Sequence, residues 1–319
     1  ANVTVSGNVL VLAASSNVQY MNAASSNLFT FASGVATVNR FPAVAGGGSH
    51  TVVLMTDGTV RTFGNNQFGK LGLNDTTDRV VPVTVPGIAG ATAVACGNYH
   101  TAVLLADGTV RTFGRNYAGA LGVNDTTDRS TPVQVWGISS SATAVACGNY
   151  FTAILLADGT VRTFGGNTSG QLGVNDTTSR QTPVQVWGIS SSATAVACGQ
   201  YHMAVLLANG TVLTFGGGSV GQLGINLNFI ARYTPVQVWG ISSSATAIAC
   251  GGRHTVVILG NGSVQTFGRN DYGQLGVNDT TSRLTPVQVW GISSSAVAIS
   301  GGFLSTVVLL ADGTVRTFG

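Results

Sequence analysis

The chain has 319 residues, among them 14 Lys or Arg and 11 Asp or Glu, for a formal net charge of +3 at neutral pH. Charged side chains make up 8% of it, with a single lysine (Lys70) and no glutamate, where an ordinary soluble domain is roughly a quarter charged. So weak and scattered a balance excludes a nucleic-acid footprint, and no run of about 18 apolar residues is present to form a membrane-spanning helix.

Residues 1–45 look irregular, yet Val9–Ala14, a Ser15-Ser-Asn turn and Val18–Tyr20 can be laid over a hairpin pattern that is repeated further on. This segment is expected to be a degenerate first repeat or a closing arm, and 46–319 a series of well-matched repeats within one domain, 1–319. The start Ala1-Asn-Val-Thr4 is compatible with a signal peptide already removed. A second unit opens near Gly46, and clearer copies follow at Cys96, Cys147, Cys198 and Cys250, spaced 51, 51 and 52 residues apart, with a last one near Ser300. A period of that size means stacked or radially arranged supersecondary units.

Within the unit at Cys96, Thr101–Ala106 and Thr109–Phe113 flank Asp107-Gly108. Asp-Gly supplies the positive φ of a tight turn, so the pair predicts a β-hairpin. Ala91–Cys96 and Pro132–Trp136 read as two further short strands, the latter with Pro where a missing amide costs least. Four strands per unit, without a 3.6-residue pattern, predict an all-β propeller of about 51 residues per blade. Seven blades are expected if 1–45 forms one, with six plus an N-terminal arm as the alternative. The final copy stops at Gly319, so the first residues are expected to supply a closing strand near it.

Four cysteines at equivalent places, with no Cys-x-x-Cys spacing, read as small buried hydrophobes rather than disulfides or a zinc site. His50, His100, His202 and His254 share a position that Phe151 and Leu304 take in two other units, which makes it a packing position. The recurring Asn-Asp-Thr-Thr-x-Arg segments read as self-bonded loops, with too few carboxylates for a calcium cage. Trp136, Trp187, Trp239 and Trp290 form another equivalent set, expected at a blade edge or between blades. In the unit at Cys198 the loop is replaced by Ile225–Tyr233, making Phe229, Ile230 and Tyr233 a candidate contact loop. Glycosylation sequons fall at Asn2, Asn74, Asn124, Asn167, Asn175, Asn209, Asn261 and Asn278, to be used only on a secretory route.

The elements Gly-x-x-His, Leu-x-x-Asp-Gly-x-Val-x-x-Phe-Gly and Gly-x-Leu-Gly, written out in Cys96–Gly122, resemble the regulator of chromosome condensation repeat family. The resemblance covers 46–319 strongly and 1–45 weakly and implies a seven-bladed propeller. Phe stands here where that family usually places Trp before the Gly. Family functions include nucleotide exchange on a small GTPase, chromatin association, ultraviolet perception and β-lactamase inhibition. The chain lacks an evident inserted wedge, a basic tail or acidic patches for the first two.

No catalytic constellation, phosphate loop or metal motif is visible, so no enzyme, cofactor or metal is expected. The expected function is a structural or assembly protein on a cell, filament or particle surface, outside the cell and glycosylated. Its partners would be proteins, copies of itself among them. The alternatives are a soluble partner-binding propeller, cytoplasmic as an inhibitor or adaptor, and a carbohydrate-binding propeller.

Overall fold

The computed structural model describes residues 3–6, 9–12, 27–32, 35–40, 43–227 and 230–319, the first four segments as backbone strands only. Residues 43–318 build six antiparallel blades at 43–84, 91–134, 142–185, 193–237, 245–288 and 296–318. Blade 2 sets the pattern. Its strands Ala91–Cys96, His100–Leu105, Val110–Gly114 and Arg129–Gln134 lie side by side in chain order, and the first of them is innermost. Asp107 Oδ1 accepts from the Thr109 amide and hydroxyl at 2.9 and 2.7 Å, and Gly108 turns with φ 78°, so the hairpin closes as its Asp-Gly predicts.

Seven blades are therefore not formed, and the alternative of six holds. The physical reason lies in 1–42, which lack the Gly-x-x-His element that four of the five junctions below use and the Gly-x-Leu-Gly element of the blade loops. Val3–Ser6 pairs with Val9–Leu12 and Asn27–Ala32 with Val35–Arg40, and neither hairpin joins a blade. The expected hairpin from Val9 to Tyr20 is thus replaced over 9–12 by a backward pairing, and its remainder lies outside the described residues. The expected closing strand is likewise not supplied: blade 6 has three strands, and Val315–Phe318 pairs on one side alone. Val315 is consequently 57% exposed, whereas its equivalent Val264 is fully buried under the next blade.

Five apolar clusters occupy the five junctions from blades 1 and 2 to blades 5 and 6, each joining the middle strands of one blade to the inner strand of the next. A polar clamp accompanies four of them. His50, His100, His202 and His254 place Nε2 at 2.8–2.9 Å from Thr101, Thr152, Thr255 and Thr306 of the following blade. Each threonine hydroxyl donates in turn to a loop carbonyl of the histidine's own blade, at Lys70, Ala120, Gln222 or Gln274. With its proton so committed, the hydroxyl accepts from Nε2–H, which fixes the neutral tautomer. Burial holds these imidazoles well below their ordinary value, His50 and His202 to about 3, His100 and His254 to about 4. The fifth junction changes both partners at once: Phe151 faces Met203, two apolar groups in one cluster. In blade 6 the strand register gives the histidine's place to Ser305 rather than to Leu304, and the cysteine's to Gly301 rather than to Ser300.

The loops between third and fourth strands are tied internally. Asn66, Asn116, Asn167 and Asn270 each donate to the carbonyl of an Asp nine residues on and accept from the amide of a Leu five residues on. That Asp pairs with Arg four residues later, as Asp75–Arg79, Asp125–Arg129, Asp176–Arg180 and Asp279–Arg283. Blade 4 departs from the rule coherently. Gly218 stands in the Asn place, and a Cβ there would lie 2.1 Å from the Ile230 carbonyl oxygen, so the altered loop fills the space that the amide occupies elsewhere. Among the described residues no helix is long and apolar enough to cross a membrane.

Candidate functional site

The inner strands leave an axial channel, and six turns, one per blade, form its mouth. The cavity there, about 520 Å³, is lined by Asn98, Tyr99, Asn149, Gln200 and Phe303, by the four cysteines and by backbone of the glycines that open each turn. Those glycines have no alternative: a Cβ on Gly97 would meet the His100 ring at 2.5 Å and the Gly148 carbonyl oxygen at the same distance. From blade 3 onward the turns are laced together by backbone bonds, Asn149 N to Gln200 O at 3.3 Å and Gln200 N to Gly252 O at 2.9 Å. Cys96, Cys147, Cys198 and Cys250 are free and stand half-buried at the channel wall, each packed against one of the apolar clusters as a small hydrophobe, in keeping with the sequence reading. Burial pushes all four up, Cys147 and Cys250 to about 12, which leaves them protonated and poorly nucleophilic at neutral pH. Among the described residues no three His, Cys, Asp or Glu side chains are placed to hold a metal ion.

Beside the mouth, over blades 1 to 3, the repeats stop being alike. Where blades 3 and 4 have Gly166 and Gly217, blade 2 has Arg115, as blade 5 has Arg269; where blades 3 and 4 have Thr168 and Ser219, blade 2 has Tyr117; and Phe68 stands in blade 1 against Ala118 and Ser169, with Tyr272 at that place in blade 5. These departures converge. The Arg115 guanidinium carbon lies 4.5 Å from the Phe68 ring centre, 5.4 Å from those of Tyr99 and Tyr117, and 5.7 Å from that of Tyr150. Tyr99 and Tyr150 stack at 5.1 Å and 9°, with Tyr117 edge-on to Tyr150 at 5.1 Å and Phe68 edge-on to Tyr99 at 6.2 Å. A cation among four rings is attracted by each quadrupole, and stacking occupies its faces while leaving its in-plane N–H groups as donors. Burial, with the adjacent Tyr99 hydroxyl second, pushes the Tyr150 phenol up to about 12, so it stays a neutral donor. Lys70 lies beneath, buried, donating to Ser49 Oγ at 2.8 Å, and burial lowers its ammonium from the ordinary lysine value.

The sequence does not reveal this cluster, because Phe68, Tyr99 with Arg115, and Tyr150 come from three different units. The signal available was the tyrosine before the histidine position in three consecutive units and the loss of repeat identity at 65–70 and 115–120.

The residues singled out from sequence lie elsewhere. Ile230 and Tyr233 are 41% and 45% exposed, and Phe229 lies outside the described residues. The Tyr233 ring rests against blade 3, where a Cβ on Gly170 would lie 2.3 Å from its Cδ1, so this part of the loop packs on its neighbour. Asn74, Asn124, Asn175, Asn209, Asn261 and Asn278 are exposed, and Asn2 is outside the described residues. Asn167 is fully buried, its amide donating to the Asp176 and Thr178 carbonyls, a geometry with no room for a glycan. Trp136, Trp187, Trp239 and Trp290 are 60–74% exposed, at blade edges rather than between blades.

Comparison with known proteins places these features in context. The profile of the RCC1-like domain matches residues 90–319, and profiles of the regulator of chromosome condensation (RCC1) repeat match 57–104 and 43–70. The ultraviolet-B receptor UVR8 of Arabidopsis thaliana is 32% identical over 86% of this chain; the chain spans 64% of that receptor's length. Among solved structures, human WBSCR16 superposes with a TM-score of 0.73 at 24% identity, over 82% of this chain and 70% of that one. Yeast RCC1 (Prp20) bound to Kap60 superposes with 0.76 at 18% identity, over 88% and 72%. At those identities the two structures speak for the fold alone.

Proposed function

The chain belongs to the regulator of chromosome condensation repeat family, and from that premise we propose that it is a non-enzymatic, protein-binding propeller that captures its partner at the channel mouth. The observation that carries this is the gathering of Arg115, Phe68, Tyr99, Tyr117 and Tyr150 where the repeats cease to be alike. Aromatic and Arg side chains dominate binding energy at protein interfaces, and Tyr117 within the cluster and Phe303 at the channel mouth are each 56% exposed. This is the soluble partner-binding alternative, and it takes precedence over the extracellular assembly role.

A photo-crosslinking residue placed at Tyr117 or Phe303, and separately at Trp187 or Trp239, tests it in extracts of the native source. The outer strand pairs Arg129 with Gly114 and Gln134 with Arg111, so the tryptophans that follow it lie at the far end of the blades from Gly114. A discrete adduct is expected from the mouth positions, and adducts confined to the tryptophan positions would overturn the reading. The evenly repeated exposed indoles favour a second reading, self-association. That reading requires a mass above 32.3 kDa in light scattering, reduced by Trp→Ser changes.

A further inference from the structure

Resting on that reading, we propose that the mouth recognises an acidic peptide segment of the partner, with Arg115 and Arg253 each holding a separate side-chain carboxylate and Asn149 accepting a backbone N–H of the same segment. Three observations converge on this. The cavity wall carries no Asp or Glu among its lining residues. Around the same end of the blades Arg79, Arg129, Arg180, Arg269 and Arg283 are each paired with an Asp, whereas among the described residues Arg115, Arg232 and Arg253 have no carboxylate within ion-pair distance, Asp128 lying beyond it in the outer groove that it shares with Arg115. Arg253 reaches only Gln200 Oε1, at 3.4 Å, and Gln200 lines the cavity, while Arg115 sits on Tyr99, which also lines it. Two guanidiniums whose donors lack an anion thus flank one opening.

The third observation separates a peptide from a bare anion. Asn149 is 5% exposed and lines the cavity; its Nδ2 donates to the Tyr201 hydroxyl at 3.0 Å, but its Oδ1 is buried and has no donor. A buried acceptor without a partner forfeits the full desolvation cost of the group. A simple carboxylate offers no proton to it, and a lysine-rich segment would meet two cations. A peptide with two or more Asp or Glu side chains supplies both the anions and an N–H.

The test is fluorescence anisotropy of the whole chain with three labelled dodecapeptides of one length: Gly-Ser with four Glu, the same with four Gln, and the same with four Lys. The Glu peptide is expected to bind saturably and to weaken as salt is raised. Arg115→Gln with Arg253→Gln should weaken it at least tenfold, the loss of one or two charge-assisted hydrogen bonds. Asn149→Ala should weaken it several-fold, and Trp187→Ser should leave it unchanged, with circular dichroism confirming each fold. Equal binding of the Glu and Gln peptides, or no effect of the double variant, overturns the proposal. Displacement by free acetate at the same carboxylate concentration overturns the peptide part. A crosslink at Tyr117 together with no Glu-peptide binding leaves the partner-binding reading standing and removes this one, whereas failure of both removes both.

Discussion

Replacing Thr255 by Val keeps the shape of a fully buried side chain and removes its hydroxyl. That hydroxyl accepts from His202 Nε2–H at 2.9 Å and donates to the Gln222 carbonyl at 2.8 Å, so the change orphans a donor and an acceptor together. Each buried unsatisfied group costs about 1–3 kcal/mol, and the added methyl returns less than about 1 kcal/mol, for a net loss of about 2–4 kcal/mol. The chain itself supplies the compensating design, since Phe151 against Met203 dispenses with both polar groups at the neighbouring junction. His202→Phe with Thr255→Met should therefore lie within about 1 kcal/mol of the parent, although each single change is costly. Urea titration followed by far-ultraviolet circular dichroism measures all four corners of the cycle. A Thr255→Val loss below about 0.5 kcal/mol, or a double variant that costs the sum of its parts, would refute the clamp as a coupled pair.

Because the four clamp histidines are held at about 3 to 4 in the fold and return to 6.5 when unfolded, the unfolded chain binds more protons in between. Their contribution to stability is present in full above the unfolded value and should fall with pH through that window, by up to about 1.4 kcal/mol per unit for each histidine, as acid titration monitored by circular dichroism would record. Lys70→Gln relieves a buried ammonium and installs the residue that Gln171, Gln222 and Gln274 provide in other blades, where Oε1 accepts a backbone N–H. It should raise the unfolding free energy by about 1 kcal/mol, and a fall of similar size would show that the Ser49 bond outweighs the desolvation. Gly122→Ala places a Cβ 2.6 Å from the Phe164 ring at φ 68°, and a loss of about 2–4 kcal/mol is expected in thermal unfolding.

Much of the architecture was legible because each blade is local. Asp107-Gly108 announces its hairpin, and Asn124 to Arg129 announces a loop that bonds itself, since every partner lies within a few residues. The phenylalanine in place of one histidine pointed to a packing position, and the clamps bear that out at Phe151. What sequence alone obscured depends on neighbouring units. Residues 1–45 have the apolar alternation of a blade, but a blade is held by its junctions, and 1–42 lack the Gly-x-x-His element that four of the five use. Register in the last unit slipped by one because Gly301-Gly302 imitates Gly251-Gly252, and only the pairing of Gly301 with Thr306 decides it. The Arg115 cluster was hidden for the same reason: its rings come from three units, and its members look like scattered substitutions until the blades stand side by side.

The exchange of His and Thr for Phe151 and Met203 also constrains how such a chain can lengthen. Each clamp straddles the boundary between units, so a gene segment copied in tandem must carry halves that still match. A second copy of 96–146 would set His100 against Thr101, a sound pair. A second copy of 147–197 would set Phe151 against Thr152, leaving a hydroxyl with no imidazole to serve. Growth by duplication is therefore permitted at one place in the array and penalised at another, and the Phe–Met junction marks a point where two adjacent copies have become heritable only together.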